Sequence, residues 1–379
     1  MLGFALVGCG RIARKHADLL AGGNVSRASL NAVCDIREER AREYGERYGV
    51  PWFTDMHAMM VALGNRIQVV SILTESGNHS RHARELARYG CHLVVEKPMA
   101  LTLEDADAMI AACDQAGVKL FVVKQNRYNA PVQRLRAALE AGRFGKIVLG
   151  TVRVRWCRTQ AYYDQDAWRG TWAMDGGVFS NQASHHVDLL EWMLGEPETV
   201  FAKASTALVD IEAEDTGVAV VRFRSGALGV IEATTATRPV DLEGSLSILG
   251  ERGTVEIGGF AVNEMRTWNF AEREPGDDDV LADSRQMPPN VYGFGHQAYL
   301  DHVVDSILEG RPKAGSASIG RVCVLPRLPR PTGSIACRPG GCSCAGVTWS
   351  RSAASVPHFS PITWPTTSSV CGRGAAASH

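Results

Sequence analysis

Between an apolar run, Phe4-Ala5-Leu6-Val7, and a stretch from Arg11 to Leu20 that places Ile12, His16, Leu19 and Leu20 at helical spacing, the chain reads Gly8-Cys9-Gly10-Arg11-Ile12-Ala13. A strand that meets a G-x-G-x-x-A turn and leaves it as a helix is the opening of a dinucleotide-binding β-α-β unit. Gly8 permits the tight turn, Gly10 lets backbone approach a pyrophosphate, and Ala13 lets helix pack closely on strand. The helix N-terminus then faces the negative charge, with Arg11 and Ile12 in its first turn. Taken alone, two glycines in such a turn are often only a turn. Asp35 adds weight, because it ends a second strand, Leu30 to Cys34, where a carboxylate accepts from the adenosine ribose hydroxyls. That carboxylate would repel a 2′-phosphate, so NAD is expected rather than NADP. Arg37 and Arg40 nearby are read as solvated helix charges, although they could soften the preference.

The alternation continues. Strands are expected at Val69–Thr74, His92–Val95 and Leu120–Val123, with helices at Arg37–Tyr48 and His79–Tyr89. A further helix, Leu103–Ala116, is opened by Thr102 with Asp105 at the capping distance. Repeated β-α units imply a parallel sheet with right-handed crossovers. After about Gly145 the pattern becomes longer strands without helices between them: Ile147–Trp156, Val200–Leu208, Thr216–Phe223, Ala227–Thr235, Leu242–Leu249 and Gly253–Ile257. They read as a mainly antiparallel sheet, with helices Pro131–Ala141 and His185–Leu194 on one face. The expected class is therefore α/β: a Rossmann domain over 1–123, then an α+β domain with a mainly antiparallel open sheet over 124–313.

The length of 379 residues suits two such domains, and 45% hydrophobic against 21% charged residues is a globular composition. A formal charge of -1 gives no general footprint for nucleic acid or an acidic membrane. The apolar N-terminus is too short for a signal segment and no stretch reaches membrane-spanning length, so a cytoplasmic location is expected. Cys9, Cys34, Cys91, Cys113 and Cys157 stand singly without C-x-x-C spacing, which indicates free thiols, no disulfide framework and no metal. From Gly315 to His379 the chain contains no Asp, Glu or Lys while Cys, Pro, Ser and Arg are abundant. Residues 314–379 are therefore expected to form an irregular, protease-sensitive tail, translated out of frame or mis-sequenced. A metal cluster through Cys337, Cys342 and Cys344 is the rival reading and lacks ligand spacing.

Two further motifs carry chemistry. Glu96-Lys97-Pro98 follows the His92–Val95 strand, and a lysine leaving the C-terminal end of a parallel strand enters the crevice where α/β ligands bind. An ammonium there polarises an alcohol and stabilises developing alkoxide. In the second, Gly176-Gly177-Val178-Phe179-Ser180-Asn181-Gln182-Ala183-Ser184-His185, Asn181 and His185 stand four residues apart and share one helical face. An imidazole can accept the alcohol proton as hydride leaves carbon. His186 competes for that role, and His185 is chosen on spacing alone.

With the glycine motif, these segments strongly resemble the glucose-fructose oxidoreductase, inositol dehydrogenase and rhizopine catabolism family. There the E-K-P lysine touches both nicotinamide and substrate, and the second signature is G-G-x-x-x-D-x-x-x-H; here the usual Asp is Asn181, which leaves that position a hydrogen-bonding role. The block Lys124-Gln125-Asn126-Arg127-Tyr128-Asn129, together with Arg155 to Trp172, resembles a branch of the family, the bacterial UDP-N-acetyl-2-amino-2-deoxyglucuronate dehydrogenases, which oxidise the sugar C3 hydroxyl in lipopolysaccharide O-antigen synthesis. The resemblance runs from residue 3 to about 313.

The resemblance implies a catalytic pair, Lys97 and His185. It implies NAD contacts from Gly8, Gly10, Arg11, Ile12, Asp35, Thr74, His79, Glu96, Lys97 and Trp168. Nucleotide-sugar contacts are implied for Lys97, Arg127, Asn129, Arg155, Tyr163, Arg169, Asn181, Gln182 and His185. Arginine suits diphosphate and uronate carboxylate, as Arg127, Arg155, Arg158 and Arg169 would here. Tyr162, Tyr163 and Trp168 either cover a sugar or nicotinamide face or pack in the core. The resemblance also implies a homodimer or homotetramer and 2-oxoglutarate as the reoxidant. An inositol, polyol or free-sugar dehydrogenase and a non-catalytic NAD-binding regulator are the alternatives.

Overall fold

The computed structural model describes residues 1–283 and 295–310. The expectations for the 314–379 tail, including Cys337, Cys342 and Cys344, lie outside the described residues.

The first sheet contains β1 (Leu2–Val7), β2 (Ala28–Cys34), β3 (Trp52–Phe53), β4 (Val69–Ile72), β5 (His92–Val95) and β6 (Leu120–Val122), in the order β3-β2-β1-β4-β5-β6. Every pair is parallel. The connections are the helices α1 (Arg11–Ala21), α2 (Glu38–Tyr48), α3 (Met56–Leu63), α4 (His79–Ala87) and α5 (Leu103–Ala116). This is the expected Rossmann arrangement. Strands buried on both faces read as continuous apolar runs, and β1 is buried at every position. Asp55 caps α3 by accepting from the Ala58 amide at 2.7 Å, and Thr102 caps α5 by accepting from the Asp105 amide at 3.1 Å. The strand order reverses between β1 and β4, so the crevice where ligands bind opens at their C-terminal ends.

The second sheet contains β7 (Ile147–Arg155), β8 (Pro197–Ser205), β9 (Thr216–Phe223), β10 (Leu228–Thr234), β11 (Glu243–Gly250), β12 (Gly253–Gly258) and β13 (Glu264–Phe270), ordered β13-β12-β11-β7-β10-β9-β8. All pairs are antiparallel except β10 with β7. Helices α6 (Ala130–Glu140) and α8 (Ser184–Leu194) cover one face, and the short α7 (Gln160–Tyr163) follows β7. Val132 and Leu135 of α6 and Leu189 and Leu190 of α8 share a core with Val152, Val154, Ile231, Leu246 and Ile248.

Two helices follow, α9 (Val280–Asp283) and α10 (Gly295–Glu309). Although α10 lies within the segment expected to form the second domain, its Tyr299, Leu300, Val303 and Val304 pack in one cluster with Phe4, Leu6, Ala17 and Leu20 of the first. Chain from the far end thus completes the nucleotide-binding core. Among the described residues no helix is long and apolar enough to cross a membrane.

Candidate active site

At the start of α1 the two glycines do different work. Gly8 has φ +99, and a Cβ there would stand 2.8 Å from the Leu73 carbonyl, so side chain is excluded by backbone. Gly10 has an ordinary φ of -83, and a Cβ there would meet nothing within 4 Å. The space in front of Gly10 is therefore an open cradle. No side chain caps α1 and no acidic residue stands in its first turn, which leaves its N-terminal amides and dipole available to an anion. The Tyr44 hydroxyl donates to the Gly10 carbonyl at 2.9 Å and steadies the loop. Asp35 directly follows β2, with one oxygen accepting from the Cys9 amide at 2.8 Å and the other from the Arg37 amide at 2.8 Å. Each oxygen keeps a lone pair for a ribose hydroxyl. These residues fit the adenosine diphosphate half of NAD. Ile12 is half-buried against the core, while Arg11 is exposed and donates to Gln165.

Thr74 and His79 are placed behind this surface. The His79 ring lies 3.0 Å from the Thr74 carbonyl and 2.8 Å from that of Pro98, tying the end of β4 to the Glu96-Lys97-Pro98 loop. The Thr74 hydroxyl lies 3.0 Å from His82. His79 is almost fully buried, so its ring atoms clamp backbone where sequence reading expected a cofactor contact. Glu96 is buried too: one oxygen meets His16 Nε2 at 3.2 Å and the other accepts from the Lys97 amide at 3.1 Å. Burial pushes the Glu96 carboxyl up, but the His16 hydrogen bond and charge, with His296 and Lys97, outweigh it and hold the carboxyl below its ordinary range. The donor atoms of His16, Glu96 and His296 lie within 4.8 Å of one another, a grouping their spread along the chain could not announce. Here His16 spends Nε2 on Glu96 and meets the His296 ring edge-on.

Lys97 emerges at the end of β5, and its Nζ donates to the Asn181 backbone oxygen at 3.0 Å and to Asn181 Oδ1 at 2.9 Å. Burial pushes the ammonium below its ordinary value, helped by Lys124 and Arg158 and opposed by Glu96 and Asp175. Asn181 lies in a π-helical turn, Val178–Gln182, and its Nδ2 donates to Asp175. The glycines before it are needed for different reasons. Gly176 has φ +77, and a Cβ on Gly177 would overlap the Glu214 carboxylate.

His185, at the start of α8, is 7% exposed, and its Nε2 lies 3.0 Å from Gln125 Nε2. Burial holds its imidazole well below the ordinary value, with Lys97 and Lys124 adding to the effect, so the ring is neutral at pH 7. His185 Nδ1 and Gln125 Oε1 are both buried without a hydrogen-bond partner among the described residues. The neighbouring His186 is fully buried, packs edge-on against Trp156 at 5.8 Å and is pushed to about 4 by burial. Of the two histidines, His186 sits in the core and His185 faces Lys97 and Lys124.

Several expected substrate contacts are committed elsewhere. Arg127 makes a two-pronged pair with Asp188 at 2.7 and 2.8 Å and stacks 4.9 Å from Trp192. Lys124 Nζ reaches the same carboxylate at 3.3 Å, so α8 is anchored by two cations three residues beyond His185. Asn129 is buried and donates to the Ala261 oxygen at 3.0 Å. Arg155 pairs with Glu232 at 2.6 Å and with Glu243 at 2.9 Å, one position from the inward-facing Val154 and so on the opposite sheet face. Tyr163 packs in the core with its hydroxyl 3.1 Å from Thr235, and burial raises its pKa to about 12. In each case the residue type suits a ligand, but the partner lies far along the chain.

The rest of the arginine block converges on Tyr162, which residue type alone left open. Its ring is approached by the guanidinium carbons of Arg11 at 6.0 Å, Arg158 at 5.4 Å and Arg169 at 4.7 Å. Its hydroxyl accepts from Arg169 at 2.9 Å and from Gln182 at 3.3 Å. The Trp168 ring also lies 4.6 Å from the Arg169 guanidinium. Lys124, Gln125 and Asp175 thus stand beside Lys97, Asn181 and His185 without having been singled out from the sequence, while Tyr162, left open between a ligand face and the core, stands among the arginines. A signal existed for Lys124 and Gln125, which leave the last parallel strand as Lys97 leaves β5.

A helix start open to pyrophosphate, beside a half-buried amine and a neutral imidazole, defines the class: a nicotinamide-dependent oxidoreductase. The chain belongs to the GFO/IDH/MocA oxidoreductase family and is an NAD-dependent sugar dehydrogenase of that family: residues 2–124 match its NAD-binding Rossmann fold and residues 132–256 its C-terminal domain. Among solved structures it is similar to the WlbA dehydrogenase of Bordetella pertussis in complex with NADH and UDP-GlcNAcA, at 46% identity and TM-score 0.76, over 82% of this chain and 89% of that one. The WlbA dehydrogenase of Chromobacterium violaceum, crystallised with the same ligands, is 43% identical at TM-score 0.76, over 82% and 87%. The myo-inositol 2-dehydrogenase of Thermotoga maritima is 31% identical over 331 residues, covering 84% of this chain and 92% of that protein.

Proposed function

We propose that the protein oxidises the C3 hydroxyl of UDP-N-acetyl-2-amino-2-deoxyglucuronate to the 3-keto sugar, in lipopolysaccharide O-antigen biosynthesis. The observation that carries this reading is the gathering of Arg11, Arg158 and Arg169 around Tyr162, in a chain 46% identical to a dehydrogenase crystallised with UDP-GlcNAcA. A ligand carrying a diphosphate and a uronate needs fork-shaped cations at two places. The 31% identity to a myo-inositol dehydrogenase supports a second reading. Inositol is uncharged, however, and would give the cluster nothing to pair with beyond Asp241, which meets Arg158 at 3.0 Å, and Asp166, which meets Arg169 at 3.3 Å.

In this reading bound NAD supplies the hydride acceptor. Gly8, Gly10 and the first turn of α1 hold its pyrophosphate, and Asp35 its adenosine ribose. The Lys97 ammonium donates to the reacting hydroxyl oxygen and lowers the cost of its negative charge. His185 takes the hydroxyl proton. For that it must present a lone pair, and the Gln125 amide can arrange this. Turned over, Oε1 accepts from His185 Nε2–H, and Nδ1 is left free to face the substrate. Asn181 and Gln182 line the same turn and hydrogen-bond the sugar.

The reoxidant is 2-oxoglutarate, and the assembly is a homodimer or homotetramer. The sheet face opposite α6 and α8 supports the latter, since Phe201, Val218, Val220 and Leu228 are all exposed on it. Supplying the purified protein with a UDP-uronate and following NADH fluorescence tests the substrate; inertness toward it, with turnover of inositol, would replace this reading by the second.

A further inference from the structure

Lys97 is a half-buried amine whose two close hydrogen bonds run to neutral oxygens, both of Asn181. A buried ammonium needs a counter-charge or it gives up its proton. The adjacent Glu96 is turned away, with one oxygen on His16 and the other on the Lys97 backbone amide. The remaining acid is Asp175, 2% exposed, one residue before the paired glycines. One of its oxygens accepts from the Gly170 amide at 2.7 Å and the other from Asn181 Nδ2. A side-chain amide can sit either way round. Donation to a carboxylate from one end fixes it, and only that orientation turns Oδ1 toward Lys97.

We propose that Asp175 is a positioning residue for Lys97: through the Asn181 amide it fixes the acceptor on which the ammonium rests, and it supplies the negative charge that Asn181 cannot carry. The chain Asp175–Asn181–Lys97 is then a carboxylate, an oriented amide and an amine in series. Charge reaches the amine without a direct ion pair, so Nζ keeps a proton free to point at substrate. The ionisable groups facing Lys97 are Glu96, Asp175, Lys124, Arg158 and His185. Those facing Asp175 include Lys97, Arg169, Tyr163 and Glu214. Burial raises the Asp175 carboxyl, while Gly170, Asn181, Lys97 and Arg169 oppose it.

The inference rests on Lys97 being the catalytic amine, but its test does not require a known substrate. In the full-length protein the pH dependence of Lys97 acetylation by trace acetic anhydride, read by peptide mass spectrometry, gives the pKa of Nζ directly. Asp175→Asn should lower it by about one unit, because the nearest carboxylate not already paired is gone. NADH affinity should stay within about twofold, and turnover of any accepted sugar should fall roughly 10- to 100-fold through misplacement of the amine. The exchange Asp175→Asn with Asn181→Asp restores one acid and one amide to the same two positions, and should return the Lys97 value to at least that of the wild type. If Asp175→Asn does not fold, the exchanged protein carries the test alone. A Lys97 pKa unmoved by Asp175→Asn, or left low in the exchanged protein, overturns the proposal. Failure to oxidise UDP-sugars would overturn only the substrate reading.

Discussion

Gly8 and Gly10 stand two residues apart in one motif, yet the structure predicts opposite outcomes for the same substitution. At Gly10 a methyl group meets nothing within 4 Å, and φ of -83 is ordinary for alanine. Losing glycine at the start of α1 costs about 0.5–1 kcal/mol of capping, and the stiffer unfolded chain returns about 0.4–1 kcal/mol. The Tm of Gly10→Ala should therefore stay within about 3 °C of the wild type. The methyl would, however, occupy the space through which pyrophosphate approaches the backbone amides. Displacing two hydrogen bonds to a charged group, at about 1.5 kcal/mol each, amounts to about 3 kcal/mol, or roughly a hundredfold in Kd for NADH. At Gly8, φ of +99 and contact with the Leu73 carbonyl at 2.8 Å put the penalty on the fold, at about 1–3 kcal/mol. Thermal melting and NADH fluorescence titration on both variants separate the effects. Wild-type NADH affinity in Gly10→Ala, or a Tm loss equal to that of Gly8→Ala, would refute the assignment of the cradle.

Lys97→Ala should abolish turnover while NADH titration still shows a bound cofactor; loss of cofactor binding of equal severity would remove the assigned role. Asp35→Ser should weaken NAD and relax discrimination against NADP, measured as the ratio of their dissociation constants. Asp188→Asn leaves Arg127 and Lys124 without their carboxylate and should cost about 3 kcal/mol or more by denaturant unfolding. Burial pushes the Asp188 carboxyl up, but Lys124 and Arg127 outweigh it and depress the folded-state pKa. Its contribution is thus full above the ordinary carboxylate range near 3.9 and is lost as pH falls through the lower folded value, so this acid-dependent part of stability should be missing from Asp188→Asn. Val220→Asp, on the exposed sheet face, should shift the sedimentation coefficient to that of a monomer without altering NADH affinity.

The parallel sheet was legible because its information is local: a glycine turn between a buried strand and an amphipathic helix, then Asp35 at the next strand end. Elements with little local signal were not legible. β3 is two residues long, and α3 reads Met-His-Ala-Met-Met-Val-Ala-Leu, apolar without a clear polar face. β13 carries Arg266, Thr267 and Asn269 among its apolar residues, and its existence follows from pairing with β12. α10 belongs by sequence to one half and by packing to the other. In the site, Lys97, Asn181 and His185 were readable from motif spacing. Arg127, Asn129, Arg155 and Tyr163 were chosen for chemistry that their partners Asp188, Ala261, Glu232 and Thr235 absorb. Asp175 went unselected because its role depends on the orientation of another residue's amide.

The central claim is that this site oxidises an anionic nucleotide sugar. It is tested most directly by adding UDP-N-acetyl-2-amino-2-deoxyglucuronate and, separately, myo-inositol to the NAD-loaded protein, then following NADH fluorescence and the mass of each recovered ligand. The account predicts that the UDP-uronate raises the fluorescence and returns two hydrogens lighter, while inositol does neither. Oxidation of inositol with the UDP-uronate recovered unchanged would contradict it.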